Sequence, residues 1–582
     1  MPVVLGRKNL YRVDKKDGRL KVLGSVFFLL AFIIVCRLFF LQVHNHDFYI
    51  SLSERRSDIS RELRPVRGSI YVKENEKLYH IVTNKDYFTL FADPREIENV
   101  SRVVDTLTPL LSFEEEEWKD LAKKLSKKND PYEQIKKKIP KEVIDKIDEE
   151  NLKGIHSISE TYRYYTETDF KGQLTGFLGF DKDERVGQYG LEGHFNKELS
   201  GTVGYLESVK DASGLPVTVG KRSLVKPVNG NDLVLTIDLT VQLKVCEIIK
   251  NSVQAFEASG GTVIVQNPKT GAIIAMCSVP DFDPEKYNAV ESVSLYNNPA
   301  IFNAYEPGSV FKAITMAAGL DLGVVEPKTT YEDTGEVKLI GRKPIRNSDL
   351  QAHGKQTMVE VLEKSLNTGA VFVVEKIGKS NFQKYVKDFG FGELSGIELD
   401  FESAGNISSL EKRGQIYTLT ASFGQGITAT PLQLVNAFSA IANGGSLMKP
   451  YIVDEILLDG VVVQKTSPTV LRQVLNTRAA ALIHGMLVSV VENGHGKKAG
   501  VDGYYIAGKT GTAQLSNNSG EYGEDTIHTF IGYGPSSDVE FTILVKFERP
   551  QAVRFSSDSA APIFGQIAQF LTQYYQIPPD KK

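Results

Sequence analysis

The apolar positions of this 582-residue chain fall into three regimes. From Val22 to Val43 they are nearly continuous, with Leu23 to Cys36 apolar apart from Gly24 and Ser25, and only Arg37 interrupting the run before Leu38-Phe39-Phe40-Leu41. That length spans a bilayer as a helix. From Arg64 to Pro94, and again from Ile155, apolar residues alternate in short stretches that predict strands. Between them, Val100 to Leu152 is rich in Glu and Lys with apolar residues at helical spacing, as in Trp118 to Leu125, and predicts solvated amphipathic helices. Beyond a turn at Asn229-Gly230-Asn231-Asp232 the pattern mixes both periods. It predicts a strand over 233–238, helices over 240–256, 358–366, 431–442 and 479–492, strands over 503–508 and 541–547, and a closing helix over 560–575. Gly261 to Ile274 reads as two strands joined by a Pro/Gly turn.

Composition narrows the class. With 68 Lys and Arg against 72 Asp and Glu, the net charge of −4 gives no footprint for nucleic acid. Three cysteines do not make a disulfide framework, and Cys246 and Cys277 read as small buried hydrophobes rather than as a bonded pair. The nine histidines show no zinc spacing, and His44 and His46 read as interfacial residues just beyond the apolar run. Arg7, Lys8, Arg12, Lys15, Lys16, Arg19 and Lys21 precede that run, which puts the N-terminus in the cytoplasm. No small-x-small cleavage site follows it, so the run reads as an uncleaved anchor rather than a signal peptide.

The chemistry centres on Tyr305-Glu306-Pro307-Gly308-Ser309-Val310-Phe311-Lys312. Ser309 opens a predicted helix closed by Gly319 to Gly323, and Lys312 follows at i+3 on the same face. A serine hydroxyl is a weak nucleophile until a base takes its proton, and a lysine kept neutral by burial is such a base. Ser-x-x-Lys alone is weak, since about two or three matches arise by chance in a chain of this size. Ser223 with Lys226, Ser409 with Lys412 and Ser446 with Lys449 also fit it and read as incidental. Only Ser309 has Pro-Gly before it and an amphipathic run after it. Ser365-Leu366-Asn367 and Lys509-Thr510-Gly511-Thr512 then follow in order. A second Lys-Thr-Gly, at Lys269 to Gly271, precedes the serine and sits in the wrong order.

These three elements, in this order, are those of β-lactamases and penicillin-binding proteins. The whole chain resembles the class B penicillin-binding proteins, the bitopic D,D-transpeptidases of peptidoglycan synthesis. The likeness is carried by the basic tail, the Arg37-to-Val43 end of the anchor, Arg67-Gly68, Gly190-Leu191-Glu192, the Ser309 motif, Gly424-Gln425-Gly426 with Thr430 to Leu434, and the Lys509 motif. The resemblance implies an α/β fold: a five-stranded antiparallel sheet between helices, on an elongated, mainly β pedestal with a helical insertion. It divides the chain into a cytoplasmic tail (1–21), an anchor (22–43), a pedestal (44–230), a transpeptidase domain (231–577) and a short polar end (578–582).

The resemblance also implies the roles. Ser309 attacks the penultimate D-alanine of a stem peptide ending in D-Ala-D-Ala, and Lys312 takes its proton. Ser365 relays a proton to the leaving D-alanine, and Asn367 orients Lys312 and the substrate. Lys509 raises the local positive potential. Thr510, Gly511 and Thr512 bind the terminal carboxylate, and the N–H groups of Ser309 and Thr512 form the oxyanion hole. No cofactor or metal is implied. β-Lactams are the implied inhibitors, and a polytopic membrane glycosyltransferase with other division proteins the implied partners, at the bacterial cytoplasmic membrane. The Ser-x-Asn form resembles the division-associated, penicillin-binding protein 3 type more than the elongation branch, where Ser-x-Asp is frequent. A serine β-lactamase or β-lactam sensor shares the motifs without a pedestal, and a catalytically silent scaffold is opposed by their intactness. Two departures stand out. Asn298-Pro299-Ala300 replaces a stretch where arginine is common. Gly494-His495-Gly496 stands where the family has Gly-Thr-Gly, and His495 reads as a surface-loop residue.

Overall fold

The computed structural model describes residues 15–40, 58–74, 77–166, 170–182, 184–209, 223–339, 343–516 and 522–581. His44, His46, most of the basic tail, the last residues of the expected anchor and the first of the expected pedestal lie outside them. The described residues fall into two units, one within Met1–Pro65 and Thr202–Val228, the other within Val66–Gly201 and Asn229–Lys582.

The first unit contains a helix, Lys15–Phe39. Its segment Val22–Phe39 has a mean hydropathy of 2.6 and buries nothing against the protein, so it is long and apolar enough to cross a membrane. The same unit holds a three-stranded antiparallel sheet of Asp58–Leu63, Gly204–Val209 and Ser223–Val225, with Gly204–Val209 in the middle.

The second unit is built on two sheets. One is five-stranded and antiparallel, in the order Ile273–Val279, Gly260–Gln266, Phe541–Glu548, Tyr522–Gly534, Ala507–Ser516. Alternation along its inner strands sends side chains to two cores. Val263, Val265, Ile543 and Val545 meet the helices Leu239–Ala255 and Ala560–Tyr574 on one face. Ile264 and Leu544 point to the core shared by Phe311–Asp321, Asn367–Ile377, Pro431–Ala442 and Thr477–Glu492 on the other. Each such fully buried aliphatic contributes about 1.5–3 kcal/mol, and together they lock the edge strand Ala507–Ser516 against the helices. The helix Pro431–Ala442 starts where expected because Thr430 and Gln433 form a capping box and Pro431 occupies its first turn.

The other sheet has seven strands, ordered Val461–Lys465, Val453–Leu458, Asp232–Leu235, Ile70–Glu74, Lys77–Ala92, Glu133–Ile139, with Ile155–Tyr165 also pairing with Lys77–Ala92. Strands from both sides of residue 230, where the domain boundary was expected, share this sheet. Against it, on the short helix Gly190–His194, Glu192, fully buried, binds Arg163 Nε of the sheet at 2.6 Å and Arg67 Nε at 2.8 Å. Burial alone would push the Glu192 carboxyl up, but the two guanidiniums outweigh it and hold its pKa below the ordinary value. Arg67-Gly68 and Gly190-Leu191-Glu192, far apart in sequence, are thus one structural element.

Three expectations are corrected. The 100–152 region is helical at Val100–Leu111, Glu115–Leu125 and Lys141–Glu149, but Glu133–Ile139 is an edge strand. Its Ile135 and Ile139 stand four apart and mimic a helical period, while its lysines guard the open edge. The strand expected over 503–508 begins only at Ala507, because Gly503 turns the chain at φ +83° and Tyr504 N–H closes back on Val501 O. Finally, Cys246 and Cys277 form a disulfide with Cα atoms 5.6 Å apart. The helix Leu239–Ala255 packs along the strand Ile273–Val279 and sets the two side chains face to face, a proximity that a 31-residue separation hides.

Candidate active site

Ser309 sits on a single 3-10 turn, Gly308–Val310, that runs into the helix Phe311–Asp321. Two backbones crowd this turn. Gly308 N–H donates to Gly424 O at 3.2 Å, and a Cβ on Gly424, itself at φ +79°, would stand 2.3 Å from the Gly308 oxygen. On the other side a Cβ on Gly511 would stand 2.9 Å from Val310 Cγ1 and 3.1 Å from Pro307 O. Only glycine allows strand and turn to approach so closely. The loop before the serine is tied down as well. Tyr305 and Ala429 exchange backbone hydrogen bonds, Tyr305 Oη lies 3.0 Å from Thr529 Oγ1, and Gly426 N–H donates to Glu306 Oε1 at 2.8 Å.

One turn on, Lys312 is 1 % exposed, and its Nζ donates to Ser365 O at 2.5 Å and to Ser365 Oγ at 3.2 Å. Lys509, fully buried on the edge strand, donates to the same Oγ at 3.0 Å and also approaches Thr510 O at 3.2 Å and Thr510 Oγ1 at 3.4 Å. Ser365 reaches between the two amines because its backbone is left-handed, φ +56°, in the break between Met358–Glu363 and Asn367–Ile377. For a non-glycine residue that conformation is strained and persists where the surroundings impose it.

The electrostatics follow from burial. Desolvation, and then the neighbouring charge of Lys509, drive the pKa of Lys312 well below the lysine range. Burial lowers that of Lys509 to about 7. Two ammonium groups sharing one hydroxyl in a dry site repel, which favours release of a proton from the pair.

The expected site residues divide into two groups. Lys312, Ser365, Lys509 and Thr510 converge, with Gly511 against the serine turn. Asn367 makes no described contact with Lys312, and its side-chain amide donates to Arg346 O at 2.8 Å. Thr512 Oγ1 donates to Ser556 Oγ at 3.0 Å and accepts from Ser556 N–H at 3.2 Å. The Thr512 backbone passes beside the Ser309 turn, its oxygen 3.4 Å from where a Gly308 Cβ would stand. The second Lys-Thr-Gly is the turn between Gly260–Gln266 and Ile273–Val279, its lysine paired with Asp538 and Glu540. His495 lies on an exposed loop, as expected. Partial desolvation, with the charges of Lys509 and Lys312, lowers its pKa.

Residues 261–569 match the model of the penicillin-binding protein transpeptidase domain, and residues 62–235 that of the penicillin-binding protein dimerisation domain. The chain belongs to the penicillin-binding transpeptidase family. Stage V sporulation protein D of Bacillus subtilis is 35% identical over 566 residues, 96% of this chain and 86% of that protein. The peptidoglycan D,D-transpeptidase FtsI of Buchnera aphidicola is 27% identical over 594 residues, 98% of each chain. The crystal structure of penicillin-binding protein 3 from Mycobacterium tuberculosis, complexed with aztreonam, aligns with a TM-score of 0.68 at 23% identity over 89% of this chain and 98% of that one.

Within this penicillin-binding transpeptidase, sequence reasoning named the reactive side chains but not what shapes them. Gly424 entered only as part of a family pattern, and nothing local marked it as the wall behind the Ser309 turn. A positive-φ requirement at Ser365 has no signal in the sequence at all.

Proposed function

We propose that this chain is a membrane-anchored D,D-transpeptidase that crosslinks peptidoglycan stem peptides through an acyl-enzyme on Ser309. The observation that carries this reading is the convergence of Lys312 and Lys509 on the Ser365 hydroxyl. A neutral lysine has two N–H donors and one lone pair. Lys312 spends both donors on Ser365, which leaves the lone pair for the Ser309 proton. Ser365 Oγ, accepting from both amines, keeps its single proton to give.

Acylation then runs as follows. Ser309 Oγ attacks the carbonyl of the penultimate D-alanine as Lys312 takes its proton. The N–H groups of Ser309 and Thr512 hold the oxyanion. The nitrogen of the departing D-alanine takes the Ser365 proton, and Ser365 is refilled from Lys312. Charged Lys509, with Thr510 and Thr512, binds the terminal carboxylate. An amine from a neighbouring stem peptide then attacks the ester, giving a new amide and regenerating Ser309. β-Lactams, whose strained amide resembles the same bond, acylate Ser309, in keeping with the aztreonam complex of the solved relative.

Residues 22–43 serve as the anchor, with the N-terminus cytoplasmic, 44–230 as the pedestal and 231–577 as the catalytic domain. The septal role and the polytopic glycosyltransferase partner rest on the resemblance to the division-associated branch, with which the relatives named FtsI are in keeping. The identity to a sporulation protein favours a second reading, wall synthesis during spore formation. Following the chain through growth and sporulation separates them: septal localisation in growing cells supports the first reading, expression confined to sporulation the second.

Labelling of the full-length protein in detergent with a fluorescent penicillin tests the chemistry. Stable labelling, absent in Ser309→Ala, is expected. Folded wild-type protein that takes no label overturns the reading, and label lost within seconds makes the chain a hydrolase instead.

A further inference from the structure

The helix that follows Ser365, Asn367–Ile377, lacks the usual side-chain cap, because its N-cap residue is Leu366. Its first turn is fastened from elsewhere. Thr368 N–H donates to Asn347 Oδ1 at 3.2 Å, and Thr368 Oγ1 donates to Asp333 Oδ1 at 2.8 Å. Asn347 Nδ2 in turn donates to both Asp333 oxygens, at 3.1 and 2.9 Å, and to Gln351 O at 3.1 Å. The backbone N–H groups of Gly335 and His353 complete the ring around the carboxylate at 2.9 and 3.1 Å. Because the Thr368 hydroxyl has given its one proton to Asp333, Tyr331 Oη, 3.0 Å away, must donate to it.

Asp333 is 2 % exposed, Asn347 2 % and Thr368 4 %. A buried carboxylate held by neutral donors is costly unless something compensates its charge. Here the positive end of the Asn367–Ile377 helix does so. The same network fixes the backbone at Arg346, whose carbonyl receives the Asn367 amide. Both residues that flank Leu366 in the motif therefore depend on it: Asn367 through Arg346 O, and the left-handed Ser365 through the helix start that follows.

We propose that Asp333 is a positioning residue for the second motif. Acting through Asn347 and Thr368, it presets Ser365 and Asn367 for the transfer of a proton to the leaving group. This rests on the acyl-transfer reading above. The Asp333 carboxylate touches neither substrate nor reacting atoms, so its influence falls on the rate of the acylation step rather than on initial binding.

Thr368→Val keeps shape and removes the link, whereas Thr368→Ser restores the hydroxyl. The test is acylation of the full-length protein by a fluorescent penicillin, with binding and bond-forming steps separated by the concentration dependence of the rate, and melting temperature measured in parallel. Thr368→Val is expected to slow the bond-forming step about tenfold or more with binding unchanged, and Thr368→Ser to recover most of it. Asp333→Asn, read the same way, covers the case in which Thr368→Val fails to fold. Wild-type acylation rates in a folded Thr368→Val or Asp333→Asn overturn the proposal. So does an equal loss in Thr368→Ser and Thr368→Val, or a loss confined to melting temperature. Failure of the wild type itself to label would instead remove the acyl-transfer reading.

Discussion

Lys312 and Lys509 donate to one hydroxyl, that of Ser365, at 3.2 and 3.0 Å. The arrangement joins two side chains separated by almost 200 residues of sequence and makes their titrations interdependent. Protonated Lys312 has no lone pair, so acylation should rise as pH climbs through its lowered ionisation. It should fall again as Lys509, with a pKa of about 7, surrenders the charge that binds carboxylate. A bell-shaped profile of the acylation rate is the expected result, and a rate that climbs without a fall above pH 9 would refute the assignment of Lys509.

The same burial has a stability cost. An unfolded lysine holds its proton to about pH 10.4. Buried Lys509 loses it near 7, so between those values the unfolded state binds more protons and stability must increase with pH. Lys509→Met removes the penalty. It should raise unfolding stability at pH 7 by on the order of 2 kcal/mol while abolishing most acylation. Urea unfolding at pH 6, 7 and 9 checks both the sign and its loss in the variant.

Gly424 backs Gly308, at the start of the Ser309 turn, so closely that a methyl group has no room. In Gly424→Ala the new carbon meets the Gly308 carbonyl oxygen, and the left-handed backbone at φ +79° adds strain. The serine turn must shift. Acylation should fall about a hundredfold, with a loss of more than about 1 kcal/mol in stability. Gly444, also left-handed but with open space around it, serves as control: Gly444→Ala should lose stability without loss of acylation per folded molecule.

Glu192 neutralises Arg67 and Arg163 against the seven-stranded sheet. Glu192→Gln leaves two poorly compensated guanidiniums there and should cost about 3–5 kcal/mol. Arg163 already has a buried Nη2 without a hydrogen bond among the described residues, so little slack exists to absorb the change. Denaturant unfolding followed by fluorescence measures it.

The Cys246–Cys277 bond closes a 31-residue loop between a helix and the outer strand of the catalytic sheet. Cys246→Ser with Cys277→Ser should lower stability by about 3 kcal/mol, and reducing agent should shift the melting temperature of the wild type but not of that variant.

Much of this protein was legible from residue order alone. The apolar run before residue 43, the helix Pro431–Ala442 and the strand Phe541–Glu548 announce themselves because each is a largely apolar stretch whose signal is local. Ser309 and Lys312 were legible because a serine nucleophile needs a nearby base, whereas Ser365 and Lys509 were named only through the resemblance to a known family. Local spacing misled where a short edge strand borrowed a helical period, as at Ile135 and Ile139, and where a turn at Gly503 delayed the catalytic strand.

Other features are properties of no segment. The disulfide, the Arg67–Glu192–Arg163 cluster, the Gly424 wall and the ring around Asp333 each join residues from distant parts of the chain. The pKa of Lys312 is driven down because the packed sheet and helices exclude water and bring Lys509 to the same oxygen. Sequence determined which chemistries were available. The tertiary structure decided which groups share a dielectric, and that decides which lysine has its pKa driven down furthest.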